Sequence, residues 1–139
     1  MKKKIIRRKK NLWAGRFKKK PSKSMLEINA SIDFDKNLYK QDIQASKAHA
    51  IMLSNQKIIT KRELNKILSG LDIIEGEIKL EKIKFLPELE DIHTHIEARL
   101  IEIIGTTAKK LHTARSRNDQ VITDLKIWLK KKLLILLIY

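Results

Sequence analysis

Apolar residues recur every three or four positions along most of this chain, and no stretch alternates with the period of two that a half-buried strand requires. Ile43, Ala50 and Leu53 predict a first helix from about Asn37 to Ser54. Leu64, Ile67, Leu68, Leu71 and Ile74 share one face of a second, and Thr60 with Glu63 supplies a T-x-x-E capping box at its start. Lys79 to Leu86 reads as an apolar-rich connector. Pro87 then precedes a third helix carrying Ile92, Ile96, Leu100, Ile103 and Ile104, and Gly105 is its expected stop. Val121, Leu125, Trp128 and Leu129 have the spacing of a further amphipathic helix. Residues 1 to about 30, with a turn at Pro21 and Ser22, are expected to be irregular. No repeat of solenoid period is present. The pattern is that of an all-α protein.

Between the third and last of these segments lies a polar run, Leu111-His112-Thr113-Ala114-Arg115-Ser116-Arg117-Asn118-Asp119-Gln120. Two arginines, two hydroxyls, an amide and a carboxylate are gathered where a helix is about to begin. Free backbone N–H groups and the positive end of the dipole favour an anion there, and arginine can grip a carboxylate with two parallel hydrogen bonds. The commoner outcome for such residues is a plain helix cap by Ser116, Asn118 or Asp119, with the arginines in solvent. Both readings stand on the residues alone.

Composition narrows the classes. The chain has 139 residues, 42% hydrophobic and 5% aromatic, enough for one compact unit whose core is built from Leu and Ile. With zero cysteines, a disulfide framework, a thiol nucleophile and a cysteine metal site are excluded. That is compatible with a cytoplasmic location. The net charge is +15, and seven of the first ten residues are Lys or Arg, so residues 1–11 form a basic tail. Such a tail could bind nucleic acid. Elsewhere lysines mix with glutamates and no nucleic-acid-binding signature is present, so nucleic acid is not the expected partner. The apolar run from Leu133 to Tyr139 is far below the roughly 20 residues needed to span a bilayer, and no membrane association is expected.

His93 and His95, flanked by Asp91 and Glu97, raise the question of a metal. His93 and Glu97 share a helix face at i,i+4 while His95 points elsewhere, so one site would lack ligands. A surface pair on the helix is expected, and no metal. His49 and His112 are expected to be packed or hydrogen-bonded.

The polar run with its sequel, LHTARSRNDQVITDLKIWL, closely resembles the LHTGRSRNDQ segment of the argininosuccinate lyases and the related lens delta-crystallins. Four further segments follow that family's order: Leu12-Trp13-Ala14-Gly15-Arg16-Phe17 (LWGGRF), Asn29 to Asp35 (N-[AS]-S-I-x-[FY]-D), Asp42 to Leu53 (DIxGSxAHAxML) and Glu90-Asp91-Ile92-His93 (EDIH). The resemblance implies a small helical N-terminal domain over 12–112, followed at 113–139 by the truncated start of a long-helix bundle domain.

It also implies an activity: elimination of fumarate from argininosuccinate to give arginine, the last step of arginine biosynthesis, without metal or organic cofactor. Ser31, Arg117 and Asn118 match the family's substrate-contacting positions. Thr113, Ser116, Asp91 and His93 are weaker candidates around the same cleft. The family's acid and base belong to segments beyond Tyr139, so no catalytic residue is expected in this chain, and the chain alone is expected to be inactive. Family members are homotetramers whose sites draw on several subunits, and a C-terminal polypeptide acting in trans is a possible partner. Ala14, Ala45, Lys57, Lys109 and Ala114 stand where the family usually has glycine, a residue used where φ is positive or backbones approach closely. Two other classes remain: a non-catalytic structural or interaction protein on the same fold, as the crystallins are, and a basic nucleic-acid-binding module.

Overall fold

Thr60 and Glu63 cap each other reciprocally, as their spacing predicts. The threonine hydroxyl accepts from the Glu63 N–H at 3.2 Å and a Glu63 carboxylate oxygen accepts from the Thr60 N–H at 2.9 Å. This box opens the second long helix in a computed structural model that describes residues 22–138. Among these residues the helices are α1 (Lys23–Asn29), α2 (Ile32–Asp35), α3 (Tyr39–Asn55), α4 (Lys61–Lys79), α5 (Ile92–Ile104) and α6 (Arg117–Leu136). Short 3-10 turns at Lys36–Leu38, Pro87–Leu89 and Gly105–His112 link them, and no strand is present among the described residues.

The all-α expectation is met, with two local corrections. Part of the segment read as irregular is helical: Ser22 caps α1 by accepting from the Met25 N–H at 3.2 Å. The helix expected from Asn37 begins at Tyr39, because the chain first passes through α2 and a 3-10 turn. The basic tail, the Leu12–Phe17 segment, Ala14 and Pro21 lie outside the described residues.

Helix ends follow their chemistry. Gly105 stops α5 at φ 70°, a conformation costly for any residue with a Cβ. Lys57 and Glu81 take the same left-handed role after α3 and α4, at φ 61° and 53°. Each is flanked by the paired bonds of a Schellman motif, Ile58 N–H to Leu53 O with Lys57 N–H to Ser54 O, and Lys82 N–H to Glu77 O with Glu81 N–H to Ile78 O.

The core is formed where α3, α4 and α5 meet, closed by the 3-10 turn before α6. Ile43, Ala50 and Leu53 face Ile67, Leu71 and Ile74 and then Ile92, Ile96 and Leu100, with Ala108 and Leu111 sealing one end. Burying each large aliphatic side chain contributes roughly 1.5–3 kcal/mol relative to exposure. Gly70 lets α4 and α5 approach: a Cβ there would lie 2.5 Å from Leu100 Cδ1. On the periphery Arg99 of α5 forks onto Glu77 of α4 with bonds of 2.7 and 2.6 Å.

Candidate functional site

Every fourth residue along one side of α3, Asp42, Ser46, Ala50 and Ser54, is buried, so two turns of that helix place polar groups inside. Asp42 is wholly enclosed, and its Oδ1 accepts from His93 Nδ1 of α5 at 3.1 Å and from the Gln120 amide of α6. Asp124, one turn beyond Gln120, lies with its Oδ2 3.4 Å from the same His93 nitrogen. A carboxylate only accepts, so Nδ1 carries the hydrogen. Three helices are thereby joined at one polar point.

This corrects the expected surface pair of His93 and Glu97. His93 is 2% exposed and His95 1%. His95 also points inward: its Nδ1 donates to Asp91 O at 2.7 Å, and its Nε2 accepts from the Leu86 N–H at 2.8 Å, which ties the 80–89 connector to α5. Its ring meets Phe85 edge-on at 5.3 Å. The helical period alone misplaced both rings, because partners from α3, α6 and the connector cover that side of α5.

The cluster shifts its members' proton affinities in opposing senses. Burial pushes the Asp124 carboxyl up to about 7, reinforced by the neighbouring Asp42 charge. Asp42 is also penalised by burial, but bonds from His93 and Gln120 bring its carboxyl below the usual range. Burial works against the His93 imidazolium, and the hydrogen bond and charge of Asp42 outweigh it and raise His93. Asp42, His93 and Asp124 offer ligand atoms within 4.8 Å of one another, the donor set of a small cation site. The charge of Arg115 also acts on both carboxylates, so the group balances its charge with its own cations.

Above this buried point lies the polar run. Ser116 caps α6: its hydroxyl accepts from the Asn118 N–H at 3.2 Å and its own N–H donates to Asp119 at 3.1 Å. The cap reading therefore holds. The expectation that goes with it, arginines in solvent, does not. Arg115 turns inward, donating to Ser46 at 3.1 Å, and its Nε is buried without a hydrogen-bond partner. Arg117 donates to Gln120 Oε1 at 2.8 Å and to Glu97 at 3.2 Å, with Asp91 3.8 Å from its Nε. A cavity of about 20 Å³ lies among Asp42, His93, Arg115, Arg117 and Gln120. A wider, open recess of about 220 Å³ lies between α3 and the loop, bordered by Ala45, His49, Ala114 and Asp119.

Of the sequence candidates, Asp91, His93 and Arg117 come together here. Asp91 caps α5 through the Thr94 N–H at 2.6 Å, and its carboxylate stands by Arg117. Ser31 joins through the backbone: its N–H and that of Ile32 both bond to Glu90 O, at 2.9 and 3.0 Å. Glu90 takes φ 59° to present that carbonyl, a strained conformation beside the site. The Ser31 hydroxyl donates to Asp35, whose other oxygen accepts from the Ile92 N–H. Ser116 is spent on the cap, Asn118 and Thr113 are exposed, and Thr113 O accepts from His49 Nε2 at 2.9 Å. The sequence did not single out Asp42, Gln120 and Asp124. Their i,i+4 spacing, Asp42 with Ser46 and Gln120 with Asp124, is shared by other polar pairs on the same helices, such as Lys40 with Gln44 and Asp119 with Thr123, so no local signal sets them apart.

Comparison with known proteins finds relatives over most of the chain. The chain is 52% identical over 120 residues to an argininosuccinate lyase of Bartonella bacilliformis, covering 86% of this chain and 26% of that protein. It is 53% identical over 122 residues to one of Ehrlichia chaffeensis, and 52% identical over 123 residues to one of Chelativorans sp. (strain BNC1), in each case covering 88% of this chain and 26% of the relative. The chain thus spans about a quarter of the length of these curated relatives. A family model described as Lyase matches residues 15–139, nearly the whole chain, and the chain belongs to that lyase family.

Proposed function

We propose that this chain forms the N-terminal wall of an argininosuccinate lyase site, in which argininosuccinate is split into arginine and fumarate. The observation that carries the reading is the gathering of Arg117, Asp91 and His93 at the start of α6, in a chain about half identical to proteins of that name. Removing a proton beside a carboxylate spreads charge onto its oxygens, and fixed donors aimed there lower the barrier. Arg117 supplies a guanidinium already oriented by Glu97 and Gln120, with further N–H donors to offer a substrate carboxylate. Asn118 supplies an exposed amide at the N-terminus of α6, and Ser31 a hydroxyl that donates to Asp35 while its backbone N–H is tied to the Glu90 carbonyl. Ser116 and Thr113 shape the loop, while Asp91 and His93 fix its floor. The proton-transferring groups come from outside this chain, from other segments or subunits, and 12–112 and 113–139 act as separate domains.

The apolar residues left exposed on α6, among them Val121, Leu125 and Leu129, support assembly into a helical bundle, as a homotetramer or with a C-terminal polypeptide in trans. No helix among the described residues is long and apolar enough to cross a membrane. We place the protein in the cytoplasm.

The test is a chimera in which residues 15–139 replace the matching segment of the Bartonella bacilliformis relative, assayed for fumarate release. Release that falls roughly 10²–10³-fold on Arg117→Ala or Asn118→Ala supports the reading, since that is the usual cost of one stabilising donor. A folded chimera that releases no fumarate overturns it. The 139-residue chain alone is expected to show no turnover.

A further inference from the structure

We propose that Gln120 is a positioning residue for Arg117, and that the buried Asp42 carboxylate dictates which way its amide faces. The inference rests on the reading of Arg117 as a substrate contact, and it concerns what sets that guanidinium in place.

Gln120 is 4% exposed and sits between two charged groups of opposite sign. Its amide nitrogen donates to Asp42 Oδ1, and its carbonyl oxygen accepts from the Arg117 guanidinium at 2.8 Å. An ionised carboxylate can only accept and a guanidinium can only donate. One orientation of the amide therefore satisfies both neighbours, and the flipped orientation satisfies neither. Asp42 Oδ1 also accepts from His93 Nδ1 at 3.1 Å, so the polarity of the chain His93 to Asp42 to Gln120 to Arg117 is fixed from its buried end. Glu97 holds a second edge of the guanidinium at 3.2 Å. Gln120 and Glu97 together fix the plane of the fork, and Gln120 transmits the buried charge to it.

The test uses the 139-residue chain and the NMR signal of the Arg117 Nη1–H group that donates to Gln120, assigned through Arg117→Lys. In the unaltered chain this signal is expected well away from that of free arginine and slow to exchange with water. Gln120→Met keeps the volume and removes both bonds. It is expected to move the signal toward free arginine and to speed exchange at least tenfold. Gln120→Glu sets two carboxylates against each other and is expected to do the same. Adding Asp42→Asn to Gln120→Glu restores a donor facing an acceptor, with an amide at position 42 donating to a carboxylate at position 120. The oxygen of that amide still accepts from His93, and the signal is expected to return. A purely structural role for Gln120 would not produce that recovery.

An Arg117 signal unmoved by Gln120→Met overturns the proposal, as does a double variant no better than Gln120→Glu. Where Gln120→Glu does not fold, Gln120→Met decides. Fumarate release by the chimera carrying Arg117→Ala probes the substrate reading separately. If that variant releases fumarate as fast as the unaltered chimera, that reading fails, while the effect of Gln120 remains measurable.

Discussion

Helices α4 and α6 are nearly equal in length, 19 and 20 residues, yet they are held by opposite chemistry. α4 buries Leu64, Ile67, Leu71 and Ile74 and turns its charges outward. α6 buries Gln120 and Asp124, while Val121, Ile122, Leu125 and Leu129 remain exposed. One helix is held by the core, the other by the site. Area removed from water is non-directional and tolerant of small shifts, whereas a hydrogen-bonded cluster fixes one register. The position of the loop that carries Arg117 and Asn118 is therefore set by polar geometry.

The contrast is broken most severely from the α4 side. Leu71→Asp places an unpaired charge at a fully enclosed position, at a cost of several kcal/mol. It is expected to abolish the cooperative thermal transition followed by circular dichroism. Next, Asp42→Ala strips the buried partner from His93, for which about 3–5 kcal/mol is the usual cost. Hydrogen exchange is expected to show where this falls, with protection lost first along α6 and the 113–120 loop and kept in α4. Uniform loss throughout the chain would mean that the two helices are not separately held.

How far the sequence foretold this contrast follows from the same chemistry. Helix period, the Thr60 capping box and the Gly105 stop depend on residues within one or two turns, and all were legible. The burial of His93 depends on Asp42, which is 51 positions away, and the Asp42–Gln120 bond spans 78. Nothing local records such pairings. The Arg117 candidate came from a resemblance, and its partners Glu97 and Gln120 appeared only with the packing. Glycine substitutions divided in the same way: Lys57 and Ala114 do take positive φ, whereas Ala45 and Lys109 do not.

A third effect depends on pH. Asp124 is raised to about 7 from an ordinary 3.8, so between those values the folded chain holds a proton that the unfolded chain has lost. Stability from this group is full at acid pH and declines as pH rises toward 7. His93, also raised, loses its contribution as pH rises through its folded value. His95 runs the other way: burial lowers it, so its contribution is present above 6.5 and fades as pH falls. Asp124→Asn is expected to raise the melting temperature at pH 8 more than at pH 5. An equal shift at both would remove the buried carboxyl from the account of how α6 is held.

Smaller effects come from the left-handed positions. Lys57→Gly and Ala114→Gly, at φ 61° and 55°, relieve strain of about 1–2 kcal/mol, partly offset by greater freedom of the unfolded chain. A net gain of about 1 kcal/mol or less is expected in urea denaturation. The gain at Lys57 belongs to the α3 end of the core, and that at Ala114 to the loop before α6.

The least change in the stability of the single chain is expected where α6 looks most hydrophobic. Leu133 and Leu136 are 57% and 73% exposed, so replacing both with serine forfeits little buried contact within the chain. Surface substitutions of this kind usually stay within about 0.5 kcal/mol each. The same two changes remove apolar area from the face proposed to enter a bundle, and association scales with that area. Sedimentation velocity across a concentration series separates the two consequences: the unaltered chain is expected to self-associate, and the double variant to remain a monomer with an unchanged urea midpoint. A large drop in that midpoint at low concentration, where the chain is monomeric, would show that α6 uses its apolar face within its own chain and would erase the distinction from α4.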